Sequence, residues 1–326
     1  MKFVVSADDY GVNPIIDKAI EDAVAKGCIT NIAAMANGVS GELEKLKSLK
    51  EQYPHISVGC HFTLTSGKAL TWDGTSKKPA SLVKNKKGRF KDMLGIQPIK
   101  IDLVELRAEL QAQIKKFEDI GLEIDHFSDH LGILTLMHRT SRVYFEEVMA
   151  YNAEYGKQTI VRNPVLTAST VKKGCLKMSE MFRLGRLGGK TKKQVSMNRD
   201  AMEGQLEKLQ ALGLKTTDLF VEHLWEKPEP GVLRCILKKT SRSANPLVKH
   251  RANSEPIVEI LSHLACPPEN VWTDDYRENH HALEDFGGIN LLYLKNNRAN
   301  EYKMLIQELP KYVDDPDIEL VSFTQS

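Results

Sequence analysis

The opening eleven residues, MKFVVSADDYG, constrain this chain more than any other stretch. An apolar run from Phe3 to Val5 delivers Asp8 and Asp9 side by side, and Gly11 follows. Asn13 to Lys26 then carries Ile15, Ile16, Ala19, Ile20, Ala23 and Val24 at helical spacing, with Asn13 as N-cap, Pro14 at the first helical position and Gly27 as the stop. Strand, tight turn and helix form the usual opening of an α/β unit. In such units ligands gather beyond the carboxyl ends of the strands, which is where both acids stand. The bland alternative is a turn that happens to be acidic, and the pair alone does not decide between the two.

The α/β alternation continues along the chain. Ile29 to Ala36 reads as a second buried strand, Gly41 to Gln52 as a second helix and Ile56 to Leu64 as a third strand carrying His61. Residues 66–100 lose all period and are rich in Gly, Lys, Ser and Pro, an excursion of the kind used for lids and binding loops. Its Lys84, Lys86, Lys87 and Arg89 read first as a solvated charge run and second as contacts to an anionic or sugar ligand. Asp102 to Ile120 places Leu103, Leu106, Leu110, Ile114 and Phe117 on one helical stripe. LEIDHFSDHLG is a strand whose end carries His126 and His130; a helix from Arg139 to Tyr155 and a short strand from Thr159 to Val161, leading to Arg162, come next.

Beyond that point the pattern weakens. A faint helical signal covers Leu176 to Leu187, a clear one covers Ser196 to Leu212, and Thr217 to Glu222 is a strand running into His223. Between Trp225 and Gly288 no clean pattern emerges: KKTSRSANP reads as an exposed loop and Glu255 to Ala265 as a helix. Ile289 to Leu294 reads as a strand, Asn300 to Leu309 as a helix and Ile318 to Phe323 as a final strand. With no internal repeat, low-complexity tract or linker, the expectation is one elaborated α/β domain over residues 1–326.

Composition removes several function classes. Lys+Arg 45 against Asp+Glu 43 leaves a net charge of +2, too weak a field to argue for nucleic acid or an anionic membrane. The 5 cysteines lie at wide intervals without CxxC spacing, which suggests neither a disulfide framework nor a thiolate metal site, and a reducing compartment. Without a basic segment leading into an apolar run at the N-terminus, or a stretch long enough to span a bilayer, the expected location is cytoplasmic.

What the chain does offer is a set of hard and borderline ligands at strand ends. Asp8 or Asp9 follows strand one, His61 lies within or after strand three, and His126 and His130 flank the next strand; in a parallel sheet all of them belong to one end. One Asp with two His suits Zn²⁺ and is also usable by Mn²⁺, Co²⁺ or Ni²⁺, with a neighbouring carboxylate as general base. Each residue also has a bland reading. A lone histidine near an apolar run is more often a core or surface residue, and an i, i+4 pair shares a face on a helix but not on a strand that bends into a loop. His55, His138, His250 and His263 sit in polar or helical contexts and read as surface, as do His280 and His281 in their acidic loop.

Five motifs in sequence carry a family resemblance: SADDYG at 6–11, GCHFTLTSGKAL at 59–70, SLVKNKKGRF at 81–90, IDHFSDH at 124–130 and RNP at 162–164. In order and spacing they resemble the YdjC/ChbG-type carbohydrate deacetylases, over most of residues 1–223 and again in ANEYKMLIQEL and DPDIELVSF near the end. The resemblance implies an α/β fold of distorted (β/α)-barrel, TIM-barrel-like form with long loop insertions. It also implies hydrolysis of an N-acetyl group on an amino sugar or oligosaccharide, using one divalent metal ion, Zn first, with Mg, Mn, Co or Ni as alternatives.

Carried over by position, Asp9, His61 and His130 would hold the metal, Asp8 would be the general base and His223 the acid. Arg162 would brace an acid or bind the sugar, and His126 and Asp129 would contact substrate. An exchange of the two aspartate roles would leave the rest intact. The departures are concrete. The family pattern HxDSHxHxH is met by HFSDHLG, and its later His-Pro signature by His223 and Leu224. The stretch at about 225–288 has no counterpart, so it is expected to be an insertion that reshapes the cleft or forms a homodimer contact. Two alternatives remain: a non-catalytic carbohydrate-binding protein on this fold, and a metal-dependent hydrolase of another amide or ester.

Overall fold

A computed structural model describes every residue except 39–40, 76–77, 85, 92–99, 136–137, 165–202, 222–223, 225–227, 243–255, 267–297 and 326. In chain order the elements are β1 (Lys2–Tyr10), α1 (Pro14–Ala25), β2 (Asn31–Ala34), α2 (Glu42–Gln52), β3 (Ser57–Phe62), α3 (Leu103–Asp119), β4 (His126–Asp129), α4 (His138–Tyr155), β5 (Ile160–Val161), β6 (Lys215–Thr216), β7 (Leu219–Val221), α5 (Pro230–Arg242), β8 (Ile257–Ser262), α6 (Ala299–Glu308) and β9 (Glu319–Leu320). Residues 203–211 are also helical.

From Phe3 onward β1 is buried, as expected of a parallel strand covered on both faces. It lies between β2 and β8, in the order β6-β5-β4-β3-β2-β1-β8-β7, and every named pairing is parallel; β9 adds a short parallel pairing to β1. The two ends of that order, β6 and β7, are separated in the chain by only Thr217 and Asp218. Seven strand spacings of a flat sheet would put those edges roughly 33 Å apart, whereas the link reaches about 10 Å. The sheet therefore curls until its edges meet, giving the distorted (β/α) barrel that the motifs imply, with the carboxyl ends of the strands gathered at one mouth.

The helices form where their caps and stripes predict. Asn13 adopts extended backbone and its side chain accepts from Ile15 N at 2.8 Å, while Pro14 opens α1. Asp102 caps α3 by accepting from Val104 N and Glu105 N, and α3 turns Leu106, Leu110, Ile114 and Phe117 inward. The same helix clamps the excursion after β3. Glu109, fully buried, accepts from Leu70 N, Thr71 N and Thr71 Oγ1, and Glu105 accepts from Ala80 N, Ser81 N and Ser81 Oγ. Antiparallel bridges Lys68–Arg89 and Val83–Phe90 close the loop on itself.

Residues 255–265 differ from expectation. The spacing of Ile257, Ile260, Leu261 and Leu264 mimics a helix, but Ile257–Ser262 is strand β8, whose Val258 and Ile260 are buried between β1 and β7. A mostly apolar segment of this length, broken only by Glu259 before Ser262, fits either element, and the parallel neighbours decide it. The exposed loop expected at KKTSRSANP is helical as far as Arg242, because α5 buries Leu233, Ile236 and Leu237 against the core. The stretch read as an insertion at 225–288 thus contains a strand hydrogen-bonded to β1 and a core helix. The signals at Leu176 to Leu187 and Ile289 to Leu294 lie outside the described residues.

Candidate active site

Adjacent residues on a regular strand face opposite ways, so two neighbouring acids reach one site only if the strand is distorted between them. Pairing with β2 supplies the distortion: Ala7 pairs with Ile32 but Tyr10 with Ala34, one residue too many on β1. That bulge holds Asp9 in the left-handed region at φ 70, where a non-glycine residue is uncommon. Gly11 follows at φ 90, and its N–H donates to Asp17 Oδ1 at 2.7 Å. The turn expected at Gly11 therefore begins two residues earlier, inside the strand.

Around Asp9 the structure brings together residues from three strand ends. His61 Nε2, on β3, stands 3.5 Å from Asp8 Oδ2 and 3.6 Å from Asp9 Oδ1. His130 Nε2, just past β4, stands 3.8 Å from the same Asp9 Oδ1, and the two imidazoles meet edge to face at 5.7 Å between centroids. Each ring is held from its far side, His61 Nδ1 at 2.7 Å from Ser128 Oγ and His130 Nδ1 at 2.7 Å from Thr65 Oγ1. With the hydroxyls accepting from Nδ1–H, both Nε2 atoms turn their lone pairs toward the carboxylate.

Asp9 Oδ1 is buried without a hydrogen-bond partner among the described residues, while Arg298 Nη2 donates to Oδ2. Burial by itself would raise the Asp9 carboxyl, but the charge of Arg298 first of all, with the neighbouring histidines adding to it in their protonated form, outweighs it and holds Asp9 well below the usual carboxylate range.

A carboxylate oxygen facing two imidazole lone pairs is unfavourable unless the rings take up protons or a cation lies between them. Two donors on one tetrahedral Zn²⁺ at 2.0–2.1 Å are separated by about 3.3–3.5 Å, close to the separations here. As the side chains stand, no group of three His, Cys, Asp or Glu among the described residues forms a closed ligand cluster. The donor chemistry fits a divalent ion nonetheless.

Asp8 is held differently. Arg162, two residues of chain beyond Ile160 on β5, donates Nη1 to Oδ2 at 2.6 Å and Nη2 to Oδ1 at 2.8 Å, and its Nε reaches Glu259 Oε1 on β8 at 2.9 Å. Its guanidinium lies 5.2 Å over the Phe220 ring. Burial pushes the Asp8 carboxyl up, Arg162 and His61 more than reverse this, and the group sits at about 2. Of the two roles left open for Arg162, the structure places it bracing an acid.

The remaining sequence-predicted residues separate. His126 is a fully buried ring on the inner face of the barrel; Asn31 Nδ2 lies 3.3 Å from its Nε2, Phe323 packs 5.1 Å away, and Gly59 leaves the room it fills. Burial, reinforced by the Arg162 charge, holds its proton affinity far below the usual range, so it is a neutral interior residue. Asp129 accepts from Leu134 N at 2.7 Å, Thr135 N at 3.2 Å and Thr135 Oγ1 at 3.1 Å; it pins the turn after His130. His223 lies outside the described residues. His263, expected at the surface, stands immediately past β8, partly buried, with its charge reaching both Asp8 and Asp9. Arg298 and Glu259 were likewise missed.

An α/β barrel with two acids, two histidines and an arginine converging at the carboxyl ends of its strands defines a hydrolase-like class of site. The chain belongs to the YdjC-like protein family, whose model matches residues 2–312. A carbohydrate deacetylase of Brevibacillus brevis is 26% identical over 330 residues, covering 100% of this chain and 99% of that protein. A carbohydrate deacetylase of Homo sapiens is 26% identical over 167 residues, 50% of each chain, and one of Listeria welshimeri is 30% identical over 146 residues, 42% of this chain and 54% of that protein. Among solved structures, a proposed cellobiose-phosphate cleavage protein of Enterococcus faecalis superposes with a TM-score of 0.67 at 19% identity, over 99% of this chain and 97% of that one, a likeness of fold.

Proposed function

We propose that this protein is a carbohydrate deacetylase that hydrolyses the N-acetyl group of an amino sugar or a short oligosaccharide with the help of one divalent metal ion. The observation that carries the metal is the buried Asp9 Oδ1, unpartnered among the described residues, facing Nε2 of His61 and of His130. Asp9, His61 and His130 would hold the ion, with Zn²⁺ the best match to one carboxylate and two imidazoles and Mg²⁺, Mn²⁺, Co²⁺ or Ni²⁺ as alternatives. The ion supplies Lewis acidity toward the acetyl carbonyl and toward water.

Asp8 takes the proton of the attacking water. Arg162 keeps its carboxylate ionised and oriented through two hydrogen bonds, so the base is available across the neutral range. The departing amine needs a proton, and His263, the residue after β8, whose charge reaches Asp8, would give it. It takes the role that the resemblance gave to His223. Family membership and the full-length likeness to a carbohydrate deacetylase support the substrate class.

The reading is tested by acetate release from a panel of N-acetylated sugars, with metal content measured in parallel for wild type, Asp9→Ala and His263→Ala. Full activity in a metal-free Asp9→Ala protein would end the proposal. Sugar binding with no turnover at any metal loading would favour a non-catalytic carbohydrate-binding protein, and turnover of esters or other amides alone would move the reaction class.

A further inference from the structure

Glu259 is a buried charge beside the site for which hydrolysis has no direct use. It lies on β8 with no solvent exposure, in register with Val4 of β1 and Phe220 of β7, and so is anchored from both sides. Its Oε1 accepts from Arg162 Nε at 2.9 Å and approaches Nη2 at 2.8 Å; its Oε2 has no hydrogen-bond partner among the described residues. Arg162 already has a counterion in Asp8, to which it gives Nη1 and Nη2. Desolvating a second carboxylate against an already neutralised guanidinium is a poor way to gain stability.

The geometry favours another use. A guanidinium is planar, and an arginine held only by its terminal nitrogens still swings about its last rotatable bonds. Glu259 grips the Nε edge, Phe220 supports the ring face, and what is left pointing outward is the Nη1/Nη2 fork aimed at both oxygens of Asp8. We propose that Glu259 is a positioning residue that acts through Arg162 to fix the carboxylate of Asp8 for proton abstraction, an inference that rests on Asp8 being the base. The anchor is a strand hydrogen-bonded on both sides, the kind of rigid element that holds a catalytic geometry to fractions of an ångström. Because the next residue beyond β8 is His263, one strand would then set the position of the base, through Arg162, and carry the acid.

The test compares Glu259→Ala, Glu259→Gln and Asp8→Asn with wild type, each loaded with Zn²⁺ and assayed for acetate release from an N-acetylated chitooligosaccharide, with crystal structures of the folded variants. Glu259→Gln keeps an oxygen for Arg162 Nε and is expected to stay within about tenfold of wild-type kcat. Glu259→Ala is expected to show Arg162 swung off Asp8, with kcat down about 100-fold, KM within twofold and Zn²⁺ content unchanged, the cost of a misplaced catalytic group. If the Ala variant does not fold, Glu259→Asp, which pulls the acceptor back by one carbon, is expected to lower kcat at constant KM.

Wild-type kcat in a folded Glu259→Ala or Glu259→Asp protein, or a crystal structure of Glu259→Ala with Arg162 still forked on Asp8, overturns the inference and leaves the proposed reaction standing. Wild-type kcat in Asp8→Asn removes the base itself, and the inference with it.

Discussion

Gly59 and His126 should behave as a single unit. A Cβ built on Gly59 falls 2.0 Å from both Cε1 and Nδ1 of His126, and the ring has no room to retreat, with Asn31 at its Nε2 and Phe323 5.1 Å away. Carbon contacts relax only near 3.5 Å, so Gly59→Ala demands a shift of about 1.5 Å in a strand paired on both sides, beyond the 1–3 kcal/mol usual for overpacking. A loss of about 4 kcal/mol is expected. His126→Ala removes the ring, leaves a cavity and strips Asn31 of a contact, a cost of about 3 kcal/mol.

If the clash is the cause, the double variant loses far less than the sum of about 7 kcal/mol, because the new methyl enters the space the ring vacated. A coupling of 2 kcal/mol or more by urea denaturation would be the signature. Additive losses would show that Gly59 is required for its backbone and not for the ring beside it, and would refute the argument.

Other outcomes follow from the contacts of the site and its surroundings. Asp8, depressed to about 2 by Arg162 against the effect of burial, contributes about 2 kcal/mol of stability that is complete above its ordinary value near 3.8 and lost as pH falls toward 2. Arg162→Met removes that contribution and strands Asp8 and Glu259 together, so the variant should lose about 3–5 kcal/mol at pH 7 and recover part of the gap by pH 3 as buried carboxyls protonate; a gap constant from pH 7 to 3 would contradict the pairing. His61→Ala and His130→Ala should each lower Zn²⁺ affinity by more than tenfold in calorimetry, and wild-type affinity in both would remove them from the site. Glu109→Ala should free residues 70–71 from α3 and expose the excursion after β3 to limited proteolysis, where a wild-type cleavage pattern would show that the clamp is dispensable.

Much of this was legible because parallel α/β folds advertise themselves locally. Asn13, Pro14 and Gly27 mark α1 within a residue, and the stripe of Leu106, Leu110, Ile114 and Phe117 marks α3, because caps and amphipathic faces are short-range facts. The site was half legible for the same reason: Asp8, Asp9, His61 and His130 sit at strand ends. Glu259 and His263 were lost with β8, since Val258, Ile260 and Leu261 put apolar residues on both faces of this short strand around Glu259, and four of the local apolar positions fall at helical spacing. Arg298 lies 289 residues from Asp9, and nothing nearby in sequence reports that approach. A weaker signal was present throughout: Ser6 and Asp8, Ser57, Gly59 and His61, His126, Ser128 and His130 repeat polar or small residues at period two on otherwise apolar strands.

That period-two series has a physical meaning in the folded barrel. Asn31 Nδ2 donates to Ser6 Oγ at 2.8 Å, Ser57 Oγ to Asn31 Oδ1 at 2.8 Å, Ser262 Oγ to Ser6 O at 2.9 Å, and Phe323 N to Ser57 Oγ at 3.1 Å, so much of the inner face of the sheet is a hydrogen-bonded polar layer. Apolar residues of the same strands, Val58, Cys60 and Phe127 among them, join the helices in the main core. Hydrophobic stabilisation is thereby assigned to the outer layer, and the interior is left to position Ser128 under His61, and Glu259 and Arg162 under Asp8. A polar interior of this kind gains little stability over an apolar one of equal volume. Its replacement by Val at Ser6 and Asn31 together should therefore preserve or raise thermal stability while loosening the orientation of His126; a collapse of the fold would show that the layer is structural in its own right.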